Sequence, residues 1–157
     1  VIRLARPGDE VALATLAEAL NIEDDEPLGF ITAETMRRDF LSADPAGFAL
    51  VAEGPGGAII GYATVLPGYD STRAFRGSHL GDLFVLRAER RRGVARALVQ
   101  AVAAETLRRG GVMVLWTSKP GNDGAAAFYR SLGADSEPLT AWQLDGDALA
   151  RAAGGAA

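Results

Sequence analysis

Six residues, Arg90-Arg91-Arg92-Gly93-Val94-Ala95, carry the densest chemistry in the chain. They follow the apolar run Leu83-Phe84-Val85-Leu86 and precede Ala97-Leu98-Val99, Val102-Ala103 and Leu107, so the order is strand, small-residue turn, helix. A helix start presents unpaired N–H groups and the positive end of the dipole, which together attract an anion. Gly93 and Ala95 leave the main chain open to close approach, and the arginines add charge-assisted donors. The stretch Arg90, Arg91, Arg92, Gly93, Val94, Ala95 and Arg96 thus reads as a cradle for a pyrophosphate. The same residues also suit a solvated basic helix start, and taken alone they do not separate the two. A P-loop is excluded, because Gly-x-x-x-x-Gly-Lys-Ser/Thr is absent, and a Rossmann turn lacks its first two glycines here.

A second constellation is Asn122-Asp123-Gly124-Ala125-Ala126-Ala127-Phe128-Tyr129-Arg130-Ser131-Leu132-Gly133-Ala134. Asn122 or Asp123 can cap a helix. Ala125, Phe128 and Leu132 fall on one face at helical spacing. Gly133 supplies the usual terminating glycine. Tyr129, beside Phe128, falls at the margin of that face; by itself it reads first as an ordinary half-buried aromatic.

In this order, with a strand between them, the two segments resemble the halves of the coenzyme A site of the GNAT N-acetyltransferase superfamily. The resemblance implies an α/β (α+β) fold with a mixed, mostly antiparallel central sheet. It implies about six to seven strands, flanked by about four helices and splayed between strands four and five. It implies acetyl-CoA as cofactor, bound by the Arg90–Arg96 turn, by the main chain of Leu83, Phe84 and Val85 on the splayed strand, and by Asn122, Ala125 and Phe128. Tyr129 matches the family's general acid, and a phenol within reach of the thiolate leaving group suits that role. Family analogy also implies a homodimer.

Amine acetylation needs a base, because an alkylamine has a pKa of about ten. Leu80-Gly81-Asp82-Leu83-Phe84-Val85 resembles the Leu-Glu-Asp-Phe-Phe-Val strand of the diamine (spermidine/spermine-type) acetyltransferases. There the Glu at the Gly81 position is tied to catalysis, an assignment that Gly81 cannot take over. Asp82 is the first candidate, with an arginine-paired structural acid as its other reading. His79 is the second, against a plain strand-edge histidine. Glu23-Asp24-Asp25-Glu26 lies where this family builds its acceptor wall and can attract a cationic amine. It reads equally as a solvated acidic loop. Tyr62 and Trp142 suit either an acceptor cleft or core packing.

Composition narrows the classes. At 157 residues, 48% hydrophobic and 23% charged, the chain is expected to form one domain over 1–157, with 145–157 an Ala/Gly-rich tail. With no cysteine and a single histidine, His79, neither thiolate chemistry nor a metal site is expected. A net charge of −4 argues against a nucleic-acid partner. No signal peptide and no bilayer-length apolar run is recognisable, so the expectation is a cytoplasmic protein without a membrane partner.

Periodicity and turn signals give the order βααβββαβαβ. The expected elements are a strand at 1–6, a helical stripe from Val11 to Leu20 and a loop or broken helix at 21–29. A helix capped by Thr32 follows, then strands at 48–53 and 58–66, a polar loop or hairpin tip at 67–76 and a strand at 78–86. The rest is a helix at 91–109, a strand at 112–117, a helix at 122–132 and a last strand at 140–144. The expected activity is acetyl transfer from acetyl-CoA to a small cationic amine, a di- or polyamine or a lysine-like molecule. Acetylation of a protein N-terminus or lysine, and a non-catalytic acyl-CoA-binding module, are the rival readings.

Overall fold

The computed structural model describes residues 1–155, and the chain divides into two compact units, Val1–Lys119 and Pro120–Ala157. The first unit holds β1 (Ile2–Leu4), α1 (Glu10–Asp24), α2 (Ala33–Phe40), β2 (Phe48–Glu53), β3 (Ile59–Asp70), β4 (Phe75–Val85), α3 (Val94–Arg108) and β5 (Val114–Leu115). Its sheet has the order β1-β2-β3-β4-β5, with antiparallel neighbours as far as β4 and a parallel β4–β5 pair.

Each face of the sheet buries a separate apolar layer. Leu13, Leu16 and Ala17 of α1 and Met36 of α2 pack on Ala49, Val51, Tyr62 and Phe84. Leu98 and Val102 of α3 pack on Leu50, Ala63, Val65, Leu80 and Val85. Strand β2 is buried along five of its six residues, as expected of a strand covered on both sides. Alternation along β4 is interrupted once. Thr64 pairs with Asp82 but Val65 pairs with Leu80, so Gly81 is the extra residue of a β-bulge. The bulge puts Asp82 and Phe84 on the α1/α2 face with Tyr62, while Leu80 and Leu83 both face α3.

Strands β4 and β5 pair only at Ser78↔Val114 and His79↔Leu115. Past that point β4 continues for six residues with no partner on β5, which is the expected parting of strands four and five.

Several expected boundaries shift. Helix α1 continues unbroken through Asn21-Ile22-Glu23-Asp24, where the acids and Pro27 suggested a loop or broken helix. Acidic residues at a helix C-terminus are unfavourable, but distant cations reach them here: Lys119 Nζ donates to the Asp24 carbonyl at 2.7 Å. The 67–76 segment is mostly ladder, paired from Leu66↔His79 to Asp70↔Phe75. It runs past the last β2 pairing, Phe48↔Val65, where an edge tolerates Pro67. Asp70 closes the hairpin by accepting from the Thr72 and Arg73 amides.

The second unit contains α4 (Asp123–Arg130) and α5 (Gly146–Ala152). Residues 140–144 form no strand, so the described residues hold five strands rather than six or seven, with five α-helices rather than four. Among the described residues of this unit no other strand pairs with them, and a lone strand is not stable in water. Helix α5 takes up seven residues of the tail expected at 145–157, and residues 156–157 lie outside the described residues.

Candidate functional site

The arginine turn is shaped by backbone conformation more than by its charges. After β4 the chain makes a short 3-10 turn, Arg87–Glu89, and then passes through two left-handed residues, Arg91 at φ 63° and Gly93 at φ 80°. A β-carbon on Gly93 would meet no atom within 4 Å, so it is this dihedral, not crowding, that calls for glycine. Gly93 is the N-cap of α3 and has no side chain to cap the first amides, which leaves the helix head open to an anion.

The arginines divide into distinct groups. Arg90 donates through Nη2 to both carboxylate oxygens of Glu23 at 2.8 Å and through Nε to the Val85 carbonyl at 2.8 Å. Its guanidinium sits 5.4 Å from the centre of the Phe84 ring. Arg92 pairs with Glu89 at 2.9 Å. Arg91, exposed and left-handed, has no side-chain partner among the described residues. A non-glycine residue at positive φ is uncommon and marks a position the fold holds against a local cost. Val94 and Ala95 begin α3 half-buried, and Arg96 is exposed in its first turn.

On β4, Leu83, Phe84 and Val85 pair with Ala63, Tyr62 and Gly61 of β3, beyond the short β5 pairing. Asp82 is half-buried, and its partner is not an arginine. The Tyr62 hydroxyl donates to Asp82 Oδ2 at 3.1 Å, and the Asp82 amide donates to Thr64 Oγ1 at 2.9 Å. Tyr62 is fully buried, so it belongs to the core and not to a cleft wall. Burial, then the charge and the hydrogen bond of Asp82, push its hydroxyl above the ordinary pKa and keep it a donor. Asp82 Oδ1 has no partner among the described residues and remains free to accept.

Gly81 has a local reason. A β-carbon there would come within 3.0 Å of Thr64 Oγ1, the atom that accepts the Asp82 amide. A glutamate at this position would press on Thr64 Oγ1, which would have to give by a few tenths of an ångström. His79 lies on the same sheet face as Asp82, because Ser78 and Leu80 on either side of it face α3.

The acid run is largely paired. Glu23 is held by Arg90 and by Arg87, the latter at 3.0 Å, and Glu26 pairs with Lys119. Partial burial works against the ionised form of Glu23. The hydrogen bonds from Arg90 and then Arg87 outweigh it and hold its pKa below the usual glutamate value. Asp24 and Asp25 are exposed, and Asp25 is the left-handed C-cap of α1. None of these partners was legible in the sequence: Glu23 reaches arginines 64 and 67 positions away, and Lys119 bonds a carbonyl 95 positions away.

In the second unit Asn122 caps α4 by accepting from the Ala125 amide at 3.1 Å, as its sequence position predicts. Ala125, Phe128, Tyr129 and Leu132 are half-buried, and the Phe128 and Tyr129 ring centres lie 5.4 Å apart. Gly133 takes the expected left-handed conformation after the helix, at φ 86°. Trp142 is 90% exposed and is not core packing. Among the described residues no group of His, Asp and Glu could hold a metal ion, and no helix is long and apolar enough to cross a membrane.

These features define a class. The open sheet, the parted β4 and β5 and the glycine-headed α3 coincide with a match to the sequence profile of the acetyltransferase (GNAT) family over residues 13–134. The chain belongs to that family. Over 94 residues it is 32% identical to the L-ornithine N5-acetyltransferase of Arabidopsis thaliana, a stretch covering 58% of this chain and 40% of the relative. The chain therefore matches less than half the length of that relative. An integron cassette protein of V. cholerae shares the fold with a TM-score of 0.78 at 18% identity, over 98% of this chain and 96% of its own. An aminoglycoside acetyltransferase from an uncultured soil metagenomic sample follows at 0.76 and 17%, over 93% and 96% of the two chains. The ribosomal-protein-alanine N-acetyltransferase of Brucella melitensis gives 0.72 and 18%, over 92% and 97%.

Proposed function

We propose that this protein transfers an acetyl group from acetyl-CoA to the amine of a small cationic acceptor of the diamine or lysine-like type. The observation that carries the reading is the uncapped head of α3 behind left-handed Gly93, at the end of a strand whose neighbour has parted from it. Such a head offers peptide N–H groups to a diphosphate, and the open strand edge offers main-chain groups to an extended amide-bearing arm. Leu83, Phe84 and Val85 are proposed for the arm, and Arg91, Arg92, Gly93, Val94, Ala95 and Arg96 for the diphosphate. Asn122, Ala125 and Phe128 are proposed on motif alone as further cofactor contacts.

In this proposal the ammonium form of the acceptor loses its proton to Asp82 Oδ1, directly or through a water. The Tyr62 hydroxyl steadies the carboxylate on its other oxygen. The neutral amine attacks the thioester carbonyl, and the carbon–sulfur bond breaks. Tyr129 gives the departing sulfur its proton, and the extra proton on the new amide nitrogen leaves to solvent, from which the Tyr129 phenolate is reprotonated. Asp24 and Asp25, the two acids of the run without a side-chain ion pair, are the proposed attraction for a cationic acceptor. The ornithine acetyltransferase among the relatives acts on an amine of this kind, which supports the acceptor class.

A thiol-release assay with acetyl-CoA over a panel of amines tests the proposal. Release with diamines or basic amino acids, and little with neutral amines, is the expected result. Coenzyme A binding without release for any amine would favour the non-catalytic module, for which the loss of the glutamate at Gly81 is the specific observation.

A further inference from the structure

A single carboxylate joins the last turn of α1 to the turn ahead of α3. Glu23 accepts from Arg90 on both oxygens at 2.8 Å and from Arg87 at 3.0 Å. Arg90 is held at its remaining edge by the Val85 carbonyl at 2.8 Å and lies over Phe84. One guanidinium therefore ties α1 to the end of β4. The pair is only partly open to water, with side-chain accessibilities of 23% for Glu23 and 39% for Arg90. A guanidinium bound on both carboxylate oxygens and on a carbonyl has a fixed orientation, unlike a lone surface pair.

We propose that Glu23 is a positioning residue for the diphosphate turn, not an acid that binds the acceptor. It holds Arg87 and Arg90 against α1 and the end of β4. This sets the course of the chain into Arg91 and Gly93 and leaves their peptide groups and Arg91 to meet the phosphates. The inference rests on the reading of that turn as the cofactor cradle. It also reverses the role that the sequence position of Glu23 suggests, so the two roles predict opposite kinetics.

The test is Glu23→Gln, with Arg90→Gln and the double variant alongside. For Glu23→Gln the Kd for coenzyme A and the KM for acetyl-CoA should rise about three- to tenfold, and kcat should fall by less than that. The KM for a diamine should stay within about twofold, as expected when the lost contact is not to the acceptor. The double variant should be no worse than the poorer single, as for two residues acting through one contact. Trypsin should cut after Arg87 and Arg91 faster in Glu23→Gln than in the parent protein, while the other cleavage sites of the first unit are cut at the parent's rate.

A raised KM for the amine with unchanged coenzyme A affinity would overturn the inference and restore Glu23 to the acceptor side. If the parent protein does not bind coenzyme A at all, the reading of the turn fails separately. The digestion pattern then decides alone whether Glu23 orders the turn, and equal cutting rates would reject it.

Discussion

The turn before α3 and the helix α4 carry the two motifs of this chain, and they are stabilised in different ways. At α4 the cap and the terminator are both local. Asn122 caps the helix three residues on, and Gly133 follows its end in the left-handed conformation. At the α3 turn the chain is left-handed at Arg91 and Gly93, and the arginines just ahead of it are held by Glu23, 64 and 67 positions away. Charge is thus spent differently from what the residue types suggest. Two of the three consecutive arginines are engaged by carboxylates of the chain itself, so the proposed anion site would be chiefly peptide backbone.

The largest effect is expected where backbone conformation cannot be replaced. Gly93→Asp adds a β-carbon at φ 80° and a negative charge beside the helix head. Coenzyme A affinity, measured by calorimetry, should fall by at least about a hundredfold, combining strain with like-charge repulsion. Affinity within about threefold of the parent would mean that the turn is not the cradle and would erase the contrast with α4. Next comes Tyr129→Phe, which removes only a hydroxyl. It should lower kcat at least about tenfold with little change in coenzyme A binding. Unchanged turnover would leave α4 a structural helix alone.

Asn122→Ala sharpens the comparison from the other side. Losing this cap should cost about 1 kcal/mol, read as a lower Tm, and should spare the α3 turn. A larger loss would show that Asn122 does more than cap. The smallest effect is a pH dependence confined to the turn. Because Glu23 titrates below its usual value, its pairing contributes stability that is complete above pH 4.5 and is lost as the pH falls through the lowered pKa. The Tm gap between the parent and Glu23→Gln should be constant above that pH and close below it. The uncharged cap of Asn122 should show no such trend. A gap independent of pH would mean that the Glu23 carboxylate carries no linkage.

This contrast also explains what was legible in the sequence. Caps, breakers and alternation are written within a few residues, so α2 with its Thr32 cap, β2 at Phe48–Glu53 and the α4 motif were readable directly. The length of α1 was not, because cations from Arg87, Arg90 and Lys119 support its acidic end. The β3–β4 ladder past Pro67 was obscured by breakers that an unpaired edge accepts. The strand expected at 140–144 had the right alternation, but alternation does not provide a partner. Asp82 was proposed from its strand position alone. Its partners Tyr62 and Thr64 lie across the ladder, set by a bulge at Gly81 that the residue string does not mark.

The central claim is that the peptide groups at the head of α3 hold a diphosphate. Amide hydrogen exchange with and without coenzyme A tests it most directly. The account predicts that the amides of Gly93, Val94, Ala95 and Arg96 become strongly protected on binding, more than those of any other turn in the first unit. Binding that leaves these four amides exchanging as they do in the free protein would contradict it.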